Sequence, residues 1–75
     1  MASQAAELVE YIAKAIVSDK EAVKVREPEG QLLELETAAD DRGRVIGRQG
    51  RVAKAMRLVL AASRFGAESR LEIVD

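Results

Sequence analysis

Seventy-five residues with twelve Lys/Arg, thirteen Asp/Glu and a formal charge of −1 make one small domain, residues 1–75, with no room for a second. A domain of this size buries only about 60% of the surface its unfolded chain exposes, so its stability is marginal. No Cys and no His are present, which excludes disulfides and the common zinc clusters.

The lack of Cys fits a reducing cytoplasm, the expected location. No apolar stretch is long enough to span a membrane, and the N-terminus lacks the pattern of a signal peptide. Aromatic content is 3%, so base stacking on aromatic rings is not available on any scale. The charge is unevenly divided. Residues 1–40 carry four Lys/Arg against nine Asp/Glu, whereas residues 41–66 carry seven against one. Residues 67–75 return to acid, with one Arg against three. A cationic middle in an acidic chain is the footprint of a localised anion-binding face.

In chain order, residues 4–17 read as a helix with Leu8, Ile12 and Ala15 on one stripe, widened by Val9 and Ile16. Ser3 is its N-cap. After a polar break, residues 22–27 read as a strand in which Val23 and Val25 alternate with Lys24 and Arg26. Pro28, Glu29 and Gly30 mark a tight turn into a second strand, residues 31–37, carried by Leu33, Leu35 and Thr37. A hairpin centred on Glu29 sets Val25 against Leu33, Val23 against Leu35 and Lys24 against Glu34. Asp40 or Asp41 caps a short helix over residues 41–46. A longer helix runs over residues 51–65 and stops at Gly66, and residues 70–74 form the last strand around Leu71 and Ile73. On the long helix, Val52, Ala55, Met56, Val59 and Ala62 are expected to face the sheet, with Lys54, Arg57 and Arg64 roughly opposite.

The informative segment is Gly43-Arg44-Val45-Ile46-Gly47-Arg48-Gln49-Gly50-Arg51-Val52. Two glycines three apart between short helices permit a sharp turn and let backbone approach a ligand closely. The second helix aims its first unpaired N–H groups and positive dipole end at that turn, which favours phosphate. Competing glycine motifs fail on spacing. No Lys-Ser/Thr pair follows either glycine as a Walker A loop requires, and G-x-x-x-G-x-x-G is not the dinucleotide fingerprint. A bare G-x-x-G turn between helices is common, so the motif by itself does not specify a ligand.

Val45-Ile46-Gly47-Arg48-Gln49-Gly50 resembles the V-I-G-x-x-G signature of K-homology (KH) domains, and the helix–strand–strand–helix–helix–strand order resembles their type II arrangement. The match covers nearly the whole chain, which resembles in particular the small stand-alone bacterial KhpA family. The resemblance implies an α+β fold, with a three-stranded mixed sheet and three helices on one face. It also implies a loop that clamps single-stranded RNA. Gly47, Arg48, Gln49 and Gly50 would form the clamp. Ile46 and Val45 would contribute an apolar groove, Arg44 and Arg51 would border phosphates, and Lys54 would lie one turn further on. Ala53 stands where many KH domains have Ile, which makes the groove shallow. The resemblance makes the short acidic turn at Pro28, Glu29 and Gly30 the candidate for its opposite wall.

A second apolar row, Leu58, Ala61 and Phe65, suits helix–helix contact with another chain. The resemblance implies a homodimer or a heterodimer with a larger KhpB-like KH partner. The two expectations are RNA binding, in post-transcriptional regulation or as an RNA chaperone, and a pairing module with weak or no RNA binding. No acid–base, nucleophile or metal constellation is readable, so no catalysis, cofactor or metal is expected.

Overall fold

A computed structural model describes residues 3–74. Helix α1 spans Gln4–Ile16, strand β1 Lys24–Arg26 and strand β2 Leu32–Glu36. Helix α2 spans Arg42–Ile46, helix α3 Arg51–Ala62 and strand β3 Arg70–Ile73. Short 3₁₀ turns at Lys20–Ala22, Ala39–Asp41 and Arg48–Gly50 join them.

The sheet order is β1-β2-β3, antiparallel between β1 and β2 and parallel between β2 and β3. Leu33, Leu35 and Leu71 point into the core, whereas Glu34 and Glu36 alternate with them on the other face beside exposed Lys24, Arg26 and Glu72. The charged face needs no cover, so the three helices pack on the apolar one. Burying a leucine stabilises the fold by about 1.5–3 kcal/mol, and Leu33, Leu35 and Leu60 are all essentially inaccessible.

Ser3 caps α1, its hydroxyl accepting from the Ala6 N–H at 3.1 Å. The buried side of α1 is Ala5, Ala6, Val9 and Ala13. Leu8 and Ile12 are only half-buried and Ala15 is exposed, so the core stripe is rotated from the expected one. Small alanines let the helix sit close to the sheet, where its larger apolar neighbours wedge the sides.

The first strand is shorter than expected because residues 20–22 turn as a 3₁₀ segment, leaving Val23 outside β1 yet buried. The hairpin register also differs by two residues. Val25 faces Leu35, Lys24 faces Glu36 and Arg26 faces Glu34. The turn is wider than a three-residue loop centred on Glu29: Pro28 has no N–H to give, and the Leu32 N–H closes onto the Glu29 carbonyl at 3.0 Å. A shift of two preserves which side chains face the core. It also moves the ion pair, which forms diagonally between Arg26 and Glu36.

Helix α3 ends at Ala62 rather than at Phe65. Ser63 takes extended backbone angles (φ −87°, ψ 152°), and its hydroxyl donates to the Leu60 carbonyl at 2.8 Å while accepting from the Gly66 N–H at 3.1 Å. This local side-chain bonding offers the chain an alternative to another helical turn. The buried face of α3 is Ala53, Met56 and Leu60, with Val52 half-buried. Ala55, Val59 and Ala62, expected against the sheet, are exposed.

Candidate nucleic-acid interface

The segment from Gly47 to Gly50 links α2 to α3 as a tight exposed turn. Gly47 closes α2, its N–H donating to the Gly43 carbonyl at 2.8 Å, and adopts φ 79°, ψ 168°. A Cβ there would lie 2.5 Å from Val52 Cγ2 and 2.7 Å from the Val52 backbone nitrogen, so α3 packs directly against the glycine. Gln49 is the single non-glycine residue with positive φ among the described residues (φ 57°, ψ 25°), and Gly50 follows at φ 75°. Two consecutive left-handed residues, closed by the Gly50 N–H on the Gly47 carbonyl at 3.0 Å, turn the Arg48 and Gln49 side chains to solvent.

Helix α3 therefore starts at an open end. Its N-cap is Gly50, and no side chain accepts from its first N–H groups. The Gly50 and Arg51 N–H groups close back onto the Gly47 and Arg48 carbonyls, and the positive end of the helix dipole faces the turn, with Arg48 and Arg51 exposed on either side.

Beside the turn lies a shallow groove of about 340 Å³ lined by Ile46, Gly50, Ala53, Arg57, Glu72, Ile73 and Val74. One wall is the stripe Gly50, Ala53 and Arg57 at spacings of three and four. The other is the end of β3, which among the described residues is an edge strand paired with β2. Ile46 is 37% exposed at the rim, and Ala53, where a larger residue would fill the floor, leaves the groove shallow.

Several expected site residues lie elsewhere. Val45 is fully buried in the core and does not line the groove. Arg44 is turned toward the end of α1, where Nη1 donates to the Ser18 hydroxyl at 2.7 Å and stands 4.0 Å from Asp41. Lys54 is exposed on the first turns of α3 without lining the groove. The turn at Glu29 and Gly30 lines a separate depression with Gln31, Leu32 and Arg70, so it is not the opposite wall. That wall is β3. Arg57, Glu72, Ile73 and Val74 were the lining residues missed in the sequence. The three-and-four spacing from Gly50 through Ala53 could have found Arg57, whereas the β3 residues depend on long-range parallel pairing.

Asp41 occupies the N-cap position of α2 but caps nothing there. Its buried carboxylate, 3% exposed, accepts from the Ser18 and Asp19 N–H groups at 3.0 Å each. These bonds hold its pKa below the ordinary carboxylate value, helped by the Arg44 charge. Asp41 thus ties the end of α1 to the start of α2 and fixes the base from which the glycine turn projects.

The apolar row on α3 is also rearranged. Leu58 is 71% exposed, Ala61 is exposed, and Phe65 is 45% exposed but lies beyond the helix. Ala55, Leu58, Val59 and Ala62 form the contiguous outward stripe, at spacings of three and four. It lies on the side of α3 away from the buried Ala53, Met56 and Leu60.

A three-stranded mixed sheet covered on one face by three helices, with a G-x-x-G turn between the second and third, defines a KH domain. The family model described as KhpA/KhpB, KH domain matches residues 6–73, and the chain belongs to that family. It is 40% identical to RNA-binding protein KhpA of Treponema pallidum over the full length of both chains. RNA-binding protein KhpA of Clostridium perfringens is 50% identical over 76% of this chain and 80% of its own. The Caldanaerobacter subterraneus protein of the same name is 43% identical over 87% and 91%. No solved structure matches the chain at a significant level. The family is a non-enzymatic one. Among the described residues no helix is long and apolar enough to cross a membrane, and no group of acidic residues is placed to hold a metal ion.

Proposed function

We propose that this protein binds single-stranded RNA through Gly47, Arg48, Gln49 and Gly50 and the groove beside them, as a cytoplasmic factor in post-transcriptional regulation or as an RNA chaperone. The observation that carries the reading is the uncapped start of α3. Its positive dipole end faces an exposed turn whose backbone a phosphodiester can approach closely, and Arg48 and Arg51 flank it. Bases would then lie along the aliphatic groove between α3 and β3. Relatives named as RNA-binding proteins support the same ligand.

The test is the double substitution Arg48→Asp and Gln49→Asp, which brings negative charge to the donor end of the helix without touching the core. Loss of affinity for a single-stranded oligoribonucleotide, with unchanged thermal unfolding, is the expected result. For wild type, about three to four phosphate contacts give a slope of log K against log[salt] near −2 to −3. Undiminished affinity in the folded variant overturns the loop assignment.

The second reading is a pairing module, and the exposure of Leu58 favours it as a companion role. A homodimer, or a heterodimer with a KhpB-like protein, would cover the outward stripe of α3, and two weak RNA sites in one assembly would gain avidity.

A further inference from the structure

Among the residues lining the groove, Arg57 on α3 carries the polar side chain on the helix side, whereas Glu72 borders it from β3 with its side chain on the outer face of the sheet. Arg57 is held in place. Its Nε–H donates to the Leu71 carbonyl across the groove at 3.1 Å, on the outer edge of β3. Parallel pairing turns the N–H groups of Arg70 and Val74 toward β2, so the groups of Leu71 and Ile73 between them point outward. The guanidinium therefore bridges helix and edge strand. It also borders a second depression, lined with it by Ser69, Arg70, Leu71 and Glu72, and so divides the two. No carboxylate of the described residues forms an ion pair with it. Its remaining donors and its planar faces stay available.

Position decides what such a group would meet. Gly50 and Arg57 are seven residues apart, about 10 Å along the helix axis. Arg57 thus stands at the far end of the groove from the phosphate-binding turn, with aliphatic Ile46, Ala53, Ile73 and Val74 between. Both aromatic residues of the chain are elsewhere. Tyr11 is 76% exposed on α1 and Phe65 lies in the turn after α3, and neither lines the groove. Among the lining side chains, Arg57 is the one planar, polarizable group. Guanidinium planes stack on bases, and a plane already held by a hydrogen bond loses less freedom on doing so.

We propose that Arg57 is a nucleobase-stacking residue that closes the groove, contacting base rather than phosphate. This rests on the RNA-binding reading above and adds the ligand group that the far end of the site takes. The contact is sequence-tolerant, because every base offers a π-face, and stronger for purines.

The experiment measures affinity for oligoadenylate and oligouridylate octamers across a salt series, for wild type, Arg57→Lys and Arg57→Gln, with thermal unfolding as a fold control. Lys keeps the charge without the plane. Both variants should lose about tenfold in affinity for oligoadenylate, less for oligouridylate, with salt slopes parallel to wild type. An Arg57→Lys protein that binds like wild type overturns the proposal, because charge alone would then suffice. So does an Arg57→Gln slope shallower by about 0.7, the signature of one lost phosphate contact on a single strand. Equal losses on both octamers also overturn it, by showing no base-dependent contact. A wild type that binds neither octamer removes the RNA-binding reading as a whole, an outcome distinct from failure at Arg57.

Discussion

The two glycines of the turn should respond differently to alanine, although a motif treats them alike. At Gly47 the backbone sits at φ 79°, ψ 168°, a region that side chains scarcely enter, and holding alanine there costs about 1–3 kcal/mol. The new Cβ would also lie 2.7 Å from the Val52 backbone nitrogen, which cannot swing aside as Cγ2 could. Overpacking of that kind adds about 1–3 kcal/mol. At Gly50 the angles are left-handed helical (φ 75°, ψ 17°) and a Cβ meets nothing within 4 Å. Alanine there costs about 1 kcal/mol. For a domain of 60–100 residues each kcal/mol moves Tm by about 4–8 °C. Gly47→Ala should therefore lower Tm by at least about 10 °C, and Gly50→Ala by about 4–8 °C. Thermal unfolding by circular dichroism at one pH measures both. The Gly50→Ala protein, still folded, should bind RNA more weakly because its methyl enters the groove. If Gly47→Ala melts no lower than Gly50→Ala, the packing of α3 on the turn is wrong.

Leu58→Asp should leave the fold intact and shift the protein toward monomer in sedimentation, since Leu58 is 71% exposed and outside the core. A folded variant that still sediments as the wild-type dimer, or a wild type monomeric at high concentration, excludes self-pairing through this stripe. Asp41→Asn should destabilise the protein at pH 7, because an amide would turn a donor toward one of the two N–H groups the carboxylate accepts. The Asp41 pKa is lowered from 3.8 on folding, so its stabilisation is complete above that value and lost as pH falls through the folded pKa. The gap in Tm between wild type and Asp41→Asn should accordingly narrow only on acidification, as pH falls through the lowered folded-state pKa, and not at alkaline pH.

The element order was readable because each segment carries one period. Alternation in residues 32–36 and the glycine punctuation at Gly47 and Gly50 leave little choice. The hairpin register was not readable to the residue, since a shift of two keeps every apolar side chain on the same face and only the turn distinguishes the alternatives. The orientation of α3 was obscured by its composition. Val52, Ala53, Ala55, Met56, Leu58, Val59, Leu60, Ala61 and Ala62 put apolar groups around most of the helix, so several faces fit a helical period equally well. Packing chose Ala53, Met56 and Leu60. The turn was legible from its glycines and arginines. Arg44 was not, because its partner Ser18 is 26 residues away in sequence. The β3 wall of the groove was hidden for the same reason, being brought to α3 by pairing with β2.

The central claim is that RNA lies over the start of α3 and along the α3–β3 groove, and amide chemical shifts of the isotope-labelled protein titrated with a single-stranded octamer test it residue by residue. The account predicts shifts at Gly47, Arg48, Gln49, Gly50, Arg51 and Ala53, and at Ile73 and Val74, with little change at Tyr11, Glu34 or Arg26. Shifts confined to the charged outer face of the sheet or to α1, with the turn unmoved, would contradict it.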